Sequence, residues 1–85
     1  MYQIRFEKRA QKALVKLPKA VQQRIGKAID GLAETPRPKG VKKMSGYQDR
    51  WRIRVGDYRV VYEIEDDKLL VLVLRVGNRG EVYKR

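Results

Sequence analysis

Three arginines lie within eight residues of one another in the stretch Trp51-Arg-Ile-Arg-Val-Gly-Asp-Tyr-Arg-Val-Val-Tyr62. Apolar and basic residues alternate there. A strand would therefore carry Trp51, Ile53 and Val55 on one face and Arg52 and Arg54 on the other. The Gly56-Asp57 break has the size of a two-residue hairpin turn, so the chain folds back and Arg59 comes near Arg52 and Arg54. Guanidiniums gathered on one sheet without interleaved carboxylates repel each other. The arrangement suits a polyanion better than it suits stability. A solvated, non-interacting face is the plainer alternative, although ordinary surfaces intersperse both signs.

Further basic residues lead up to this hairpin. Arg37, Lys39, Lys42, Lys43 and Arg50 precede it, opposed only by Asp49 and Asp57 before Tyr62, and are candidate RNA-binding positions. The whole chain carries a net charge of +11 over 85 residues, which points to nucleic acid first and an anionic membrane second. The longest apolar run, Leu69 to Leu74, is far too short to span a bilayer, and nothing resembles a signal peptide. A cytoplasmic location is expected.

Other chemistries are closed off by composition. Cysteine and histidine are both absent, which leaves no disulfide framework, no thiolate or imidazole metal site and no imidazole proton shuttle. The carboxylate cluster Glu63-Glu65-Asp66-Asp67 fits a strand edge running into a turn better than a divalent-metal site. Gly77-Asn-Arg-Gly80 lacks the spacing of a phosphate-binding loop. No metal and no cofactor is expected.

The surrounding elements must hold the hairpin in place. Tyr2 to Phe6 reads as a short strand. Ala10, Ala13, Leu14 and Leu17 recur at helical spacing across Glu7 to Leu17. Pro18 interrupts that helix and suits the first position of a second one, whose stripe of Val21, Ile25, Ala28, Ile29 and Leu32 runs to about Ala33. Gly26 inside it reads as a close helix crossing. Thr35-Pro-Arg-Pro-Lys-Gly40 reads as an extended loop. Strands are expected at Arg50–Val55, Tyr58–Glu65 and Lys68–Val76, the last two joined at Asp66-Asp67. Two helices cover one face of so small a sheet, which would leave Val61, Val71 and Val73 on the open face, unless the C-terminal tail covers them, as an apolar patch for a protein partner. Trp51, Tyr58 and Tyr62 read as packing residues, and Tyr47 as either packing or RNA contact. A single α+β domain over residues 1–85 follows, with no internal repeats.

Taken in order, these segments resemble the RelE/ParE toxin superfamily, and its RelE branch most of all. Carrying the resemblance are Met44-Ser-Gly-Tyr47, the arginine hairpin through Asp57-Tyr-Arg-Val-Val-Tyr62, and Val76-Gly-Asn-Arg79 with Tyr83. The resemblance implies a β-α-α-β-β-β fold with an antiparallel sheet and a helical hairpin on one face. It implies a toxin that enters the ribosomal A site, contacts rRNA and cleaves mRNA, leaving a 2′,3′-cyclic phosphate. It also implies a cognate, RelB-like acidic antitoxin that folds on binding, with DNA engaged only through the antitoxin complex.

Position by position, the family's catalytic residues fall on Arg52, Arg54, Arg59, Arg79 and Tyr83. Some RelE members carry lysines at the paired basic positions, and a crowded lysine can lose its proton, whereas arginine effectively cannot. Arg52 and Arg54 are then electrostatic clamps, since the guanidinium fork matches phosphate oxygens and pre-aimed donors stabilise developing charge. The base is either Tyr83, with its phenolate favoured by nearby positive charge, or a ribosomal group. Tyr83 is equally suited to stacking on a base. Arg79 as the acid is implied by the resemblance alone. Two other readings stay open: a gyrase-directed toxin of the ParE branch without nuclease activity, and a non-enzymatic basic RNA-binding module.

Overall fold

The computed structural model describes residues 1–44, 46 and 50–78. In chain order the elements are β1 (Gln3–Phe6), α1 (Lys8–Val15), α2 (Lys19–Gly31), β2 (Lys42–Lys43), β3 (Arg50–Val55), β4 (Tyr58–Glu65) and β5 (Leu70–Asn78). The strands form one sheet in the order β1-β5-β4-β3-β2. All pairings are antiparallel except β1–β5, which is parallel. The class is α+β with a helical hairpin on one face, as expected. Strand β2 is an addition to the expected order: Lys42-Lys43 has no alternation of its own and becomes a strand only by pairing with Arg52 and Trp51.

Local chemistry sets the helical hairpin. Leu17 precedes Pro18, whose ring disfavours helical geometry at the residue before it, so α1 stops at Val15. Pro18 takes the N-cap of α2 rather than its first turn, with ψ 145. The Gln22 side chain then reaches back, its Nε2 donating to the carbonyls of Leu17 at 2.8 Å and Val15 at 3.1 Å. Both acceptors lie at the end of α1, where carbonyls lack partners within the helix. Ala10 from α1 and Ile25 and Ile29 from α2, with Leu32 just beyond, face the sheet and are almost fully buried. Ile25, Ile29 and Leu32 each stabilise the fold by roughly 1.5–3 kcal/mol, and the single methyl of Ala10 by less. The expected close crossing at Gly26 is absent. A Cβ built there would meet nothing within 4 Å, so Gly26 marks no tight approach.

The β3–β4 hairpin has the expected bounds. Gly56 takes φ 61 at the first turn position while Asp57 does not share its sign, the pattern of a type II′ turn, which asks for glycine there. Trp51, Ile53, Val55, Tyr58, Val60 and Tyr62 all pack with the helices, Tyr62 with no exposure at all.

Strand β5 departs from the expectation in bounds and in facing. A short 3₁₀ turn at Asp66–Lys68 and a left-handed Leu69 (φ 50) delay its start to Leu70. Its pairing with β4 then carries a bulge. Val61 pairs with Arg75 and Tyr62 with Val73, so Leu74 is an extra residue on β5. One extra residue reverses the inside–outside alternation. Val71 and Val73 therefore face the helices at 0% exposure, and Val76 does so beyond the bulge. The open face instead carries half-buried Leu70 and Leu72, together with Val61, which keeps only 3% exposure. Of the three valines expected on the open face, Val61 lies there but is buried, while Val71 and Val73 belong to the core.

Candidate nucleic-acid interface

Sheet register decides which cations share a face. Arg54 stands opposite Arg59, and Arg59 stands opposite Gly77 on β5. One step along, Lys42, Arg52, Val61 and Arg75 form a second row. Cross-strand partners project to the same side, so these rows lie together on the face away from the helices. Gly77 supplies no side chain beside Arg59, and Val61 supplies an apolar one beside Arg52. Neither offers a counter-charge.

Beside these rows, and reaching round to the helix side at Ala28 and Ile53, lies an open groove of about 560 Å³, bordered also by Pro38, Lys39, Gly40, Lys42, Arg52, Arg54 and Arg59. Five of those nine residues are lysine or arginine, and none is acidic. Arg59 is the most enclosed, at 7% exposure, and its Nη1 donates to the Tyr58 carbonyl at 3.3 Å. That bond fixes one edge of the guanidinium. Arg54 is exposed, and Arg52 is half-buried. A fixed, partly dehydrated guanidinium beside an exposed one is suited to gripping phosphate oxygens in place of water. At the hairpin tip, the Arg24 guanidinium from α2 approaches Gly56, 3.3 Å from where a Cβ would stand. Arg24 escaped the sequence reading because its position on a helix carries no hint of which turn it faces.

The five candidate RNA-binding residues separate. Lys39 and Lys42 border the groove. Arg50 makes a salt bridge to its cross-strand neighbour Glu63, Nε to Oε2 at 3.0 Å. Lys43 and Arg37 lie over the Trp51 ring, 5.7 Å and 5.0 Å from its centre. Arg37 also binds Asp66 with both Nη atoms, at 3.2 Å and 2.9 Å, while the Tyr2 hydroxyl donates to the same carboxylate. The hydrogen bonds from Arg37 and Tyr2 hold the Asp66 carboxyl down at about 2 and raise Tyr2 and Arg37 above their ordinary values. On the buried side, the Tyr62 hydroxyl donates to the Pro36 carbonyl at 2.7 Å, and burial pushes its ionisation well above the tyrosine range. Sequence reading missed Tyr2 and Asp66, which no local pattern connects.

Arg79 and Tyr83 lie outside the described residues, as does Tyr47. The strand leading to them ends at Asn78, opposite Tyr58 and one residue beyond the Arg59–Gly77 pair. Among the described residues, no helix is long and apolar enough to cross a membrane.

Comparison with known proteins adds to this geometry. The family profile of the ParE toxin of type II toxin-antitoxin system, parDE, matches residues 4–83. The mRNA interferase toxin RelE of Escherichia coli K12 is 35% identical over 86 residues, covering 96% of this chain and 90% of the relative. The toxin chain in the crystal structure of the intact E. coli RelBE toxin-antitoxin complex superposes with a TM-score of 0.82 at 32% identity, over 92% of this chain and 96% of that one. The archaeal RelE-RelB complex from Pyrococcus horikoshii OT3 gives 0.82 at 34% identity, over 94% and 97%.

Proposed function

From the premise that this chain belongs to the RelE branch of the RelE/ParE toxin superfamily, we propose that it is a type II toxin that cleaves mRNA on the ribosome. The observation that carries this reading is the arginine groove: Arg52, Arg54 and Arg59 with Lys39 and Lys42, and no carboxylate along its border among the described residues. The reaction uses the RNA's own 2′-hydroxyl. Its oxygen attacks the adjacent phosphorus while the bond to the 5′-oxygen breaks, giving a 2′,3′-cyclic phosphate and a 5′-hydroxyl. A base takes the 2′ proton and an acid protonates the leaving oxygen, so no water is consumed.

In this mechanism Arg59 and Arg54 hold the non-bridging oxygens, whose negative charge grows in the transition state. Arg52, Lys39 and Lys42 hold the neighbouring phosphates and set the strand in line for attack. Arg79 is assigned as the acid. Tyr83 is assigned either as the base or as a stacking platform. Among the described residues no element is shaped to read base edges, so the ribosome supplies the alignment. A cognate antitoxin, acidic and folding on binding, silences the toxin by neutralising or covering the groove. Two similar chains have been solved in a RelBE toxin-antitoxin complex and a RelE-RelB complex, which supports an antitoxin partner.

The decisive experiment incubates purified protein with mRNA on programmed ribosomes and with the same mRNA naked, with and without a chelator that leaves ribosomes intact. Cleavage only on the ribosome, insensitive to chelator and ending in a cyclic phosphate, supports the proposal. Equal cleavage of naked mRNA, or growth arrest with intact transcripts and inhibited gyrase, overturns it.

A further inference from the structure

The segment between α2 and β2 contributes Pro38, Lys39 and Gly40 to one border of the groove, yet has no helix or strand of its own before Lys42. Its position must come from side chains, and the structure shows which. The Tyr62 hydroxyl binds the Pro36 carbonyl from within the core, and the Val41 amide donates to the Pro38 carbonyl at 3.0 Å. Arg37 is held from two directions: Asp66 takes both Nη atoms, and the Trp51 ring lies beneath the guanidinium. Tyr2 binds Asp66 in turn, tying the carboxylate to the N-terminal strand region.

Bidentate pairing fixes orientation as well as distance, and the aromatic face removes the remaining swing. A guanidinium so occupied has little left with which to fork a phosphate. Composition alone ranks Arg37 with the groove arginines, but its guanidinium is taken up by Asp66 and Trp51. Asp66, for its part, follows Arg59 by seven positions along and just past β4, roughly 20 Å at the strand rise. It is too far away to meet a phosphate gripped by Arg59.

We propose that Arg37 is a positioning residue, clamped by Asp66 and laid over Trp51 so that the Pro38–Lys42 segment stands as a fixed wall of the arginine groove. The proposal rests on the RNA-cleaving reading of that groove. It assigns Asp66 an influence on cleavage that no contact with RNA can explain.

The test uses Asp66→Asn, Asp66→Glu and Arg37→Gln in the full chain, with melting curves confirming that each variant folds. Two quantities are measured: amide hydrogen exchange across residues 39–43, and cleavage rates on programmed ribosomes at rising ribosome concentration. In Asp66→Asn, exchange in the segment should quicken. The maximal rate should fall about tenfold or more, while the half-saturating ribosome concentration shifts less than about twofold, because misplaced groups lose rate rather than docking. Asp66→Glu should recover most of the rate. A direct grip of Arg37 on RNA predicts the reverse: Asp66→Asn liberates a cation and cleavage holds or rises, while Arg37→Gln raises the half-saturating concentration. That result, or unchanged exchange in Asp66→Asn, overturns the proposal. A wild-type chain that cuts no ribosome-bound mRNA would instead overturn the functional reading, and the exchange data would still show whether the clamp holds the wall.

Discussion

Arg54 and Arg59 face each other directly across the β3–β4 ladder, two like charges at a cross-strand position with no carboxylate in register beside them among the described residues. Like charges in that relationship destabilise a sheet. The fold tolerates the repulsion because the hairpin also places Ile53 opposite Val60 and Trp51 opposite Tyr62 on the buried side. A phosphate between the two guanidiniums would turn the repulsion into attraction.

Replacing the exposed Arg54 with Thr should therefore stabilise the free protein by about 0.2–1 kcal/mol, the range of a cross-strand pair, while slowing cleavage. Thermal melts at low and high salt measure this. The gain should shrink as salt rises, since screening already relieves the repulsion in the wild type. A melting point that falls in Arg54→Thr at both salts would show that the pair is not strained.

Arg59 is the enclosed member of the pair, and its truncation should cost the most catalysis. Loss of one pre-aimed donor typically lowers the rate about 10²–10³-fold, and this is the loss expected of Arg59→Ala in single-turnover cleavage on ribosomes. Arg59→Lys keeps the charge but not the fork, so it should recover only part of the rate. Full recovery would mean that charge alone matters.

Asp66 titrates below its ordinary value of 3.8, at about 2, because the folded state favours its carboxylate. At pH values between these two, the unfolded chain binds the proton and the folded one does not. The clamp's contribution is thus complete above about pH 4 and disappears as pH falls toward 2. Urea titrations of wild type and Asp66→Asn across that window should converge at its acid end. Parallel curves would place the depressed carboxyl elsewhere.

At the alkaline end, Tyr62 matters. Its ionisation is raised by burial, so the unfolded phenol loses its proton first, and stability falls as pH climbs past about 10. Tyr62→Phe should flatten that decline. It should also cost about 1–3 kcal/mol at neutral pH, because the Pro36 carbonyl loses its hydrogen-bond donor. Denaturant midpoints at neutral and alkaline pH test both effects.

Deleting Leu74 should leave the protein folded. With the extra residue gone, Arg75 follows Val73 directly, so Val71, Val73 and Val76 alternate without a break and keep Ile64, Tyr62 and Val60 as partners on the helix face. Circular dichroism and a cooperative melt near the wild-type temperature would bear this out, and loss of the melting transition would show that the bulge itself is required.

Much of this molecule is written locally. The arginine hairpin is legible because alternation and a Gly-Asp turn are properties of adjacent residues, and β3 and β4 have the bounds that periodicity predicts. The two helices are legible for the same reason, to within a few residues at their ends. The charge, the lack of histidine and cysteine, and the resemblance through Asp57-Tyr-Arg-Val-Val-Tyr62 and Val76-Gly-Asn-Arg79 with Tyr83 come from the sequence as well. Tertiary structure alone decided the rest. The two-residue β2 exists only as a partner of β3, and the bulge at Leu74 exists only as a mismatch between β4 and β5. That single mismatch determined which of the β5 side chains became core. The clamp on Arg37 spans 29 residues to Asp66, and from Asp66 another 64 back to Tyr2. Periodicity describes neighbours along the chain, whereas register and ion pairing depend on which distant segments the fold brings side by side.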